Sequence, residues 1–197
     1  SPIAQQAEQT KVVMHLGQAI DSQTKNQDLQ AAEELEKALE AGFKHPSVYF
    51  DLGMLRFKSE RLESALRNLQ YSVKHADFAL ASRLLLGQIM IRMARYNEAS
   101  VEYLEALKLA DSYVVPADLS DEIRQLYEPI IEAQSVQKDE SALRVLCENI
   151  HKMLLRPDWR ETLLKAREQL PKAEGDVPLP LAEIVIQAQS SQVLESI

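Results

Sequence analysis

Residues 49–72, YFDLGMLRFKSERLESALRNLQYS, and residues 83–106, RLLLGQIMIRMARYNEASVEYLEA, carry one pattern written twice. Gly53 pairs with Gly87, Ala65 with Ala99, Leu69 with Tyr103 and Ser72 with Ala106, and just beyond lie Asp77 and Asp111, every pair 34 residues apart. Periods of this length belong to stacked helix pairs, in which no single repeat buries its own apolar face and neighbours bury it for one another. An extended surface that holds another molecule is the expectation, ahead of a catalytic pocket.

Apolar residues at helical spacing predict helices over about 5–22, 29–40, 46–58, 61–75, 79–94 and 97–110. Asp28 is the expected N-cap of the second, Gly42 its stop, and Pro46 the first turn of the third. A further helix is expected over 119–135, capped by Asp118 or Ser120 and kinked at Pro129. Its partner follows Asp139, giving a degenerate fourth pair, and a helix over 158–170 caps the stack with Trp159 buried in its first turn. Pro171, Gly175, Pro178 and Pro180 mark 171–180 as a linker, and 181–197 is an amphipathic helix whose stripe (Leu181, Ile184, Val185, Ala188, Val193, Leu194) must be covered somewhere. The domain reading is thus a repeat domain over 1–170, a linker and a C-terminal helix.

The residues Tyr49, Leu52, Gly53, Ala65, Leu69, Ser72 and then Arg83, Leu86, Gly87, Met90, Tyr96, Ala99, Tyr103, Ala106 resemble the tetratricopeptide repeat family. A looser first repeat reads Leu16, Gly17, Ile20, Ala31, Leu35, Ala38, and aligning Gly17 with Gly53 requires a turn about two residues longer after Asp21. The resemblance covers roughly 10–111. It implies an all-α fold: a right-handed α-solenoid of antiparallel helix hairpins, with three clear repeats, the degenerate fourth and capping helices.

In that family the first helix of each pair lines a concave groove. The resemblance therefore implies a partner-binding groove formed by Phe50, Asp51, Met54, Phe57 and Lys58, and by Leu84, Gln88, Ile91 and Arg92. Phe50, Met54 and Phe57 are spaced i, i+4, i+7, as are Leu84, Gln88 and Ile91, so two repeats would offer an apolar floor to a peptide or helix. The charged clamp with which some family members grip a chaperone's carboxylate terminus is missing, because its places hold Met14, Gln18, Asp51, Ala81 and Leu85.

Composition narrows the rest. A net charge of −8 and pI near 5.1 oppose nucleic acid and anionic membrane partners. A lone cysteine, Cys147, on an apolar face predicts a buried thiol and a reducing, cytoplasmic setting. Glycines 17, 42, 53, 87 and 175 form no phosphate loop, and His15, His45, His75 and His151 offer no helical metal pair. Cys147 and His151 are i, i+4 but lack a third orienting group. No cofactor, metal or catalytic residue is expected, and the chain reads as a non-enzyme. The expected function is a protein–protein interaction or scaffold module, and a homodimer through the C-terminal helix is also expected. The alternative is a ligand- or peptide-sensing regulatory domain of a larger signalling or transcription-regulatory protein, with the absent initiator Met and the helical tail as its signals.

Overall fold

The computed structural model describes residues 1–171 and 178–195, among which all regular structure is helical and no strand occurs. The helices are α1 (Pro2–Thr24), α2 (Asp28–Glu40), α3 (Pro46–Lys58), α4 (Leu62–Ser72), α5 (Ala76–Arg92), α6 (Tyr96–Val114), α7 (Ser120–Ser135), α8 (Glu140–Leu154), α9 (Trp159–Gln169) and α10 (Ala182–Glu195), with a 3-10 turn at Ala117–Leu119 before α7. The start of α1 is fixed by Ser1, whose Oγ accepts from the Ala4 N–H at 3.2 Å, with Pro2 in the first turn. His45 caps α3 by accepting the Ser47 N–H on Nδ1 at 3.1 Å, and Asp139 caps α8 through Ala142 N at 3.2 Å. Two expected caps are absent. Gln27, not Asp28, holds the N-cap of α2, and neither Asp118 nor Ser120 caps α7; Ser120 Oγ instead donates to the Ser112 carbonyl at 2.9 Å. The last of these bonds holds the bend between α6 and α7, and α7 runs on through Pro129.

One turn recurs at the repeat spacing. Asn26, Glu60 and Ala94, each 34 residues from the next, take φ of 57°, 59° and 57°. Each donates to the carbonyl three residues back, and the following residue (Gln27, Arg61, Arg95) donates to the carbonyl five back, on Ser22, Arg56 and Met90, at 2.8, 2.8 and 2.9 Å. This is the Schellman closure, which satisfies carbonyls that a helix end leaves unpaired. Glycine is its usual left-handed residue, and here none of the three positions has it.

The strict recurrence of the turn corrects the alignment of the first repeat. No longer turn follows Asp21. The residue equivalent to Gly53 is Ala19, which is buried, whereas Gly17 faces open space, with nothing within 4 Å of where its Cβ would stand. A small residue is needed where two helices approach closely, and alanine meets that need in α1.

The chain divides into two compact units, Ser1–Ser82 and Arg83–Ile197, the division falling within α5. In the first unit α1 packs on α2, α2 on α3, and α3 on α4. Ala19, Ala31, Ala32, Leu35, Val48, Leu52 and Leu55 form a closed core, with Leu16, Leu39 and Phe43 at its edge. A Cβ on Gly53 would stand 2.6 Å from Cδ2 of Leu69, so glycine sets the distance between α3 and α4. In the second turn of α5, Ser82 Oγ meets Ser72 Oγ at 2.7 Å, which pairs two buried hydroxyls.

The second unit is built around α6, against which α7, α8 and α9 pack, while α10 lies chiefly on α8. Gly87 repeats the role of Gly53, its Cβ position falling 2.6 Å from Cε2 of Tyr103. The expected fourth helix pair does not form in the manner of α1–α2 or α3–α4: α7 and α8 each lie against α6 rather than principally against one another. The expected linker lies largely in 172–177, outside the described residues, as does the end of the C-terminal helix. Of the expected stripe, Leu181 and Val185 are buried, as is the adjoining Ala182, and Ile184 and Ala188 are half-buried; the side chains of Val193 and Leu194 lie outside those described. Gln189 Nε2 donates to the Ala142 carbonyl at 2.8 Å and to Gln134 Oε1 at 3.3 Å, so α10 bridges α8 and α7.

Candidate functional site

Of the residues expected to line a groove, Phe50, Asp51, Met54, Phe57 and Lys58 lie on α3 in the first unit, and Leu84, Gln88, Ile91 and Arg92 lie on α5 in the second. On α3 the side opposite Leu52 and Leu55 carries an apolar ridge. Phe50 and Phe57 are half-buried and Met54 is 36% exposed. The Phe50 ring lies against Phe78 at the start of α5, centroids 5.8 Å apart. Phe78 is not among the expected residues, because it immediately precedes the run over 79–94 that predicts this helix; an aromatic at that place is the available signal. Asp51 still reaches solvent, yet desolvation holds its carboxyl above the ordinary carboxylate range. Lys58, at the end of the ridge, is exposed. The ridge thus offers three large apolar side chains, an adaptable thioether among them, beside a carboxylate that an incoming cation would stabilise.

The α5 residues behave differently. Leu84 is buried, Gln88 and Ile91 are half-buried and Arg92 is exposed. Leu84 is therefore interior and does not present itself to a ligand, a correction whose cause is that α5 is apolar nearly all round, which marks an enclosed helix.

Polar side chains elsewhere are mostly committed to holding the fold. His15 Nδ1 and Glu34 Oε2 meet at 2.7 Å, and this bond foremost holds the Glu34 carboxyl below its usual range. One period and one further on, at 34-residue steps, Tyr49 stacks on Tyr71 with centroids 4.5 Å apart, and Arg83 donates to Glu102 at 2.9 Å. Burial is the larger influence on Glu102 and raises its carboxyl despite the arginine. Arg56, nearly enclosed, donates to Glu36 Oε1 at 2.5 Å.

In the second unit, Cys147 and His151 share a face of α8, but His151 Nδ1 is bonded to the Tyr103 hydroxyl at 2.9 Å. Burial pushes the Cys147 thiol up to about 12 and the His151 imidazole down. A thiol so held stays protonated at neutral pH and is a poor nucleophile. A cleft of about 370 Å³ opens beside Arg95, Tyr96, Asn97, Ser135, Lys138 and Leu143. Several of its polar groups are already engaged. Asn97 Nδ2 donates to the Gln134 and Gln137 carbonyls at 3.0 and 2.6 Å, Arg95 pairs with Glu98, and the Arg144 guanidinium lies 4.4 Å from the Tyr96 ring centroid.

Trp159 is half-buried rather than enclosed, with the Arg160 guanidinium 4.6 Å from its ring. Among the described residues no group of three or more His, Cys, Asp or Glu side chains is arranged to hold a metal ion, and no helix is long and apolar enough to cross a membrane. No family model, no curated protein and no solved structure matches this chain.

Proposed function

We propose that this chain is a non-catalytic interaction module of tetratricopeptide-like helix pairs, and that the α3 ridge takes an apolar, amphipathic helix or peptide from another protein. Two features support the repeat reading: the Schellman turn recurring at Asn26, Glu60 and Ala94, and glycines 53 and 87 meeting Leu69 and Tyr103 at the same separation. The observation that carries the binding reading is the ridge of half-buried Phe50 and Phe57 with the exposed Met54 between them. Large apolar residues at i, i+4, i+7 on one helix match the spacing of anchors on another. Asp51 and the net charge of −8 favour a partner with lysine or arginine beside its apolar stripe.

Selection from a randomised helical peptide library on the full chain tests this. The expected winners carry apolar residues at i, i+4, i+7 with an adjoining basic residue. Winners without apolar periodicity, or the failure of any peptide to bind, would refute it.

A further inference from the structure

The ridge on α3 has one apolar flank and one charged flank. Advancing about 100° per residue from Met54 at the centre, Phe50 and Phe57 lie to one side. Asp51 and Lys58, three residues before Met54 and four after it, lie to the other. Both charged residues are exposed, and among the described residues neither side chain takes part in an ion pair or a hydrogen bond. They do not satisfy each other, because two turns set them about 10 Å apart along the axis, whereas helical pairs form at i, i+3 or i+4. Charges at those shorter spacings on α1 and α2 do pair: Glu8 with Lys11, Asp21 with Lys25 and Glu34 with Lys37. Asp51 is also partly desolvated, with no cation beside it to offset the cost. An acid and a base at fixed separation thus bracket the centre of the apolar ridge, and both are left to an outside partner.

We propose that the ridge selects its partner by direction: an amphipathic helix of another protein docks antiparallel to α3, with an acid facing Lys58 and, seven residues later, a base facing Asp51. The orientation rests on the reading of the ridge as a helix site, and it adds which helix the site takes and which way round. Like flanks meet in an antiparallel pair, so the partner carries its acid three residues before its central apolar residue and its base four after. That order suits the partner's own dipole, whose N-terminal end favours an acid and whose C-terminal end favours a base. Lys58 closes α3, so the positive end of the partner meets the negative end of α3. A parallel helix would bring opposite flanks together and set like ends of the two dipoles side by side. With Phe50 and Phe57 half-buried and Met54 36% exposed, the open part of the ridge is a narrow strip that a single helix covers. Charge matching of this kind fixes register and excludes wrong partners more than it adds affinity.

Two labelled helical peptides of one composition, titrated by fluorescence anisotropy with the full chain, test it. Both carry leucine at i, i+4 and i+7. The first has Glu three residues before the central leucine and Lys four after it, and the second has these two exchanged. The first should bind the natural chain about tenfold more tightly, because the exchange turns two attractive pairs into two repulsive ones. Exchanging the charges in the chain, Asp51→Lys together with Lys58→Glu, should reverse the preference with unchanged helical circular dichroism. Equal affinities for the natural chain, a preference for the second peptide, or a preference that the double variant leaves in place would overturn the proposal and leave the ridge standing as a binding site. Binding of neither peptide would remove the ridge reading and the orientation with it. A chain that dimerises by itself, in a way that Asp51→Lys abolishes, would give the ridge to a second copy and overturn the proposal too.

Discussion

Leu181 donates its backbone N–H to Oδ2 of Asp111 at 2.9 Å across 70 residues of chain. The same carboxylate accepts the Tyr127 hydroxyl at 2.6 Å and the Arg167 guanidinium, and Arg167 Nη1 reaches the Leu179 carbonyl at 3.0 Å. One fully buried acid thus joins α6, α7, α9 and the start of α10. Its proximity and burial raise the Tyr127 phenol well above its ordinary range, burial being the larger cause.

Removing that acid strands a guanidinium, a hydroxyl and an amide. Asp111→Ala should cost about 3–5 kcal/mol in urea unfolding, as for one partner removed from a buried ion pair, and should expose α10 to limited proteolysis. Asp77, its counterpart one repeat earlier, is exposed and pairs only with His75 at 3.8 Å. Asp77→Ala should stay within about 0.5 kcal/mol. Equal losses would contradict the assignment.

Gly53→Ala should destabilise the first unit by about 1–3 kcal/mol, the ordinary cost of overpacking. The added methyl would meet Leu69 Cγ at 2.7 Å as well as its Cδ2, so rotation of the terminal methyls alone does not relieve it. Gly17→Ala has open space and a helical backbone, so it should be neutral or slightly stabilising. Thermal melts of the two variants read the contrast.

Ala94 sits at φ 57° with a side chain that gains nothing there. Ala94→Gly should raise stability by about 1 kcal/mol, the penalty an L-residue bears in the left-handed region. No change in the urea midpoint would show that the turn is not held as described.

His151 supplies a pH dependence. Burial lowers its folded pKa, so the unfolded chain binds a proton that the folded chain refuses. The stability it contributes is complete above the unfolded pKa of about 6.5 and is lost as pH falls below it, at no more than about 1.4 kcal/mol per pH unit. Comparing unfolding at pH 7.5 and 5.5, His151→Gln should show a flatter dependence than the natural chain. Identical slopes would rule the histidine out as the cause.

The helices were legible because Gly53, Ala65, Leu69 and their partners at 34 residues stand at places where side-chain size is dictated by close approach. Sequence alone aligns Gly17 with Gly53 because they share a residue type, while the structural equivalent is Ala19. The recurring turn was hidden for a related reason: Asn26, Glu60 and Ala94 share a conformation but no chemistry. Asp77 and Asp111 align in sequence, yet one is solvated and the other is a hub, since what buries Asp111 arrives from α7, α9 and α10, outside the repeats. The ridge on α3 could be read from its i, i+4, i+7 spacing. Leu84 could not be placed that way, because α5 is apolar on more than one side and periodicity then fails to say which side faces out.

The most direct test of the binding reading is calorimetric titration of the best selected helical peptide into the natural chain, Met54→Glu and Leu164→Glu. Met54 is the solvent-facing centre of the ridge, and Leu164 is an exposed leucine on α9 in the other unit. Met54→Glu should weaken binding at least tenfold, about 1.4 kcal/mol, while Leu164→Glu should leave it unchanged. Equal affinity for Met54→Glu and the natural chain would contradict it.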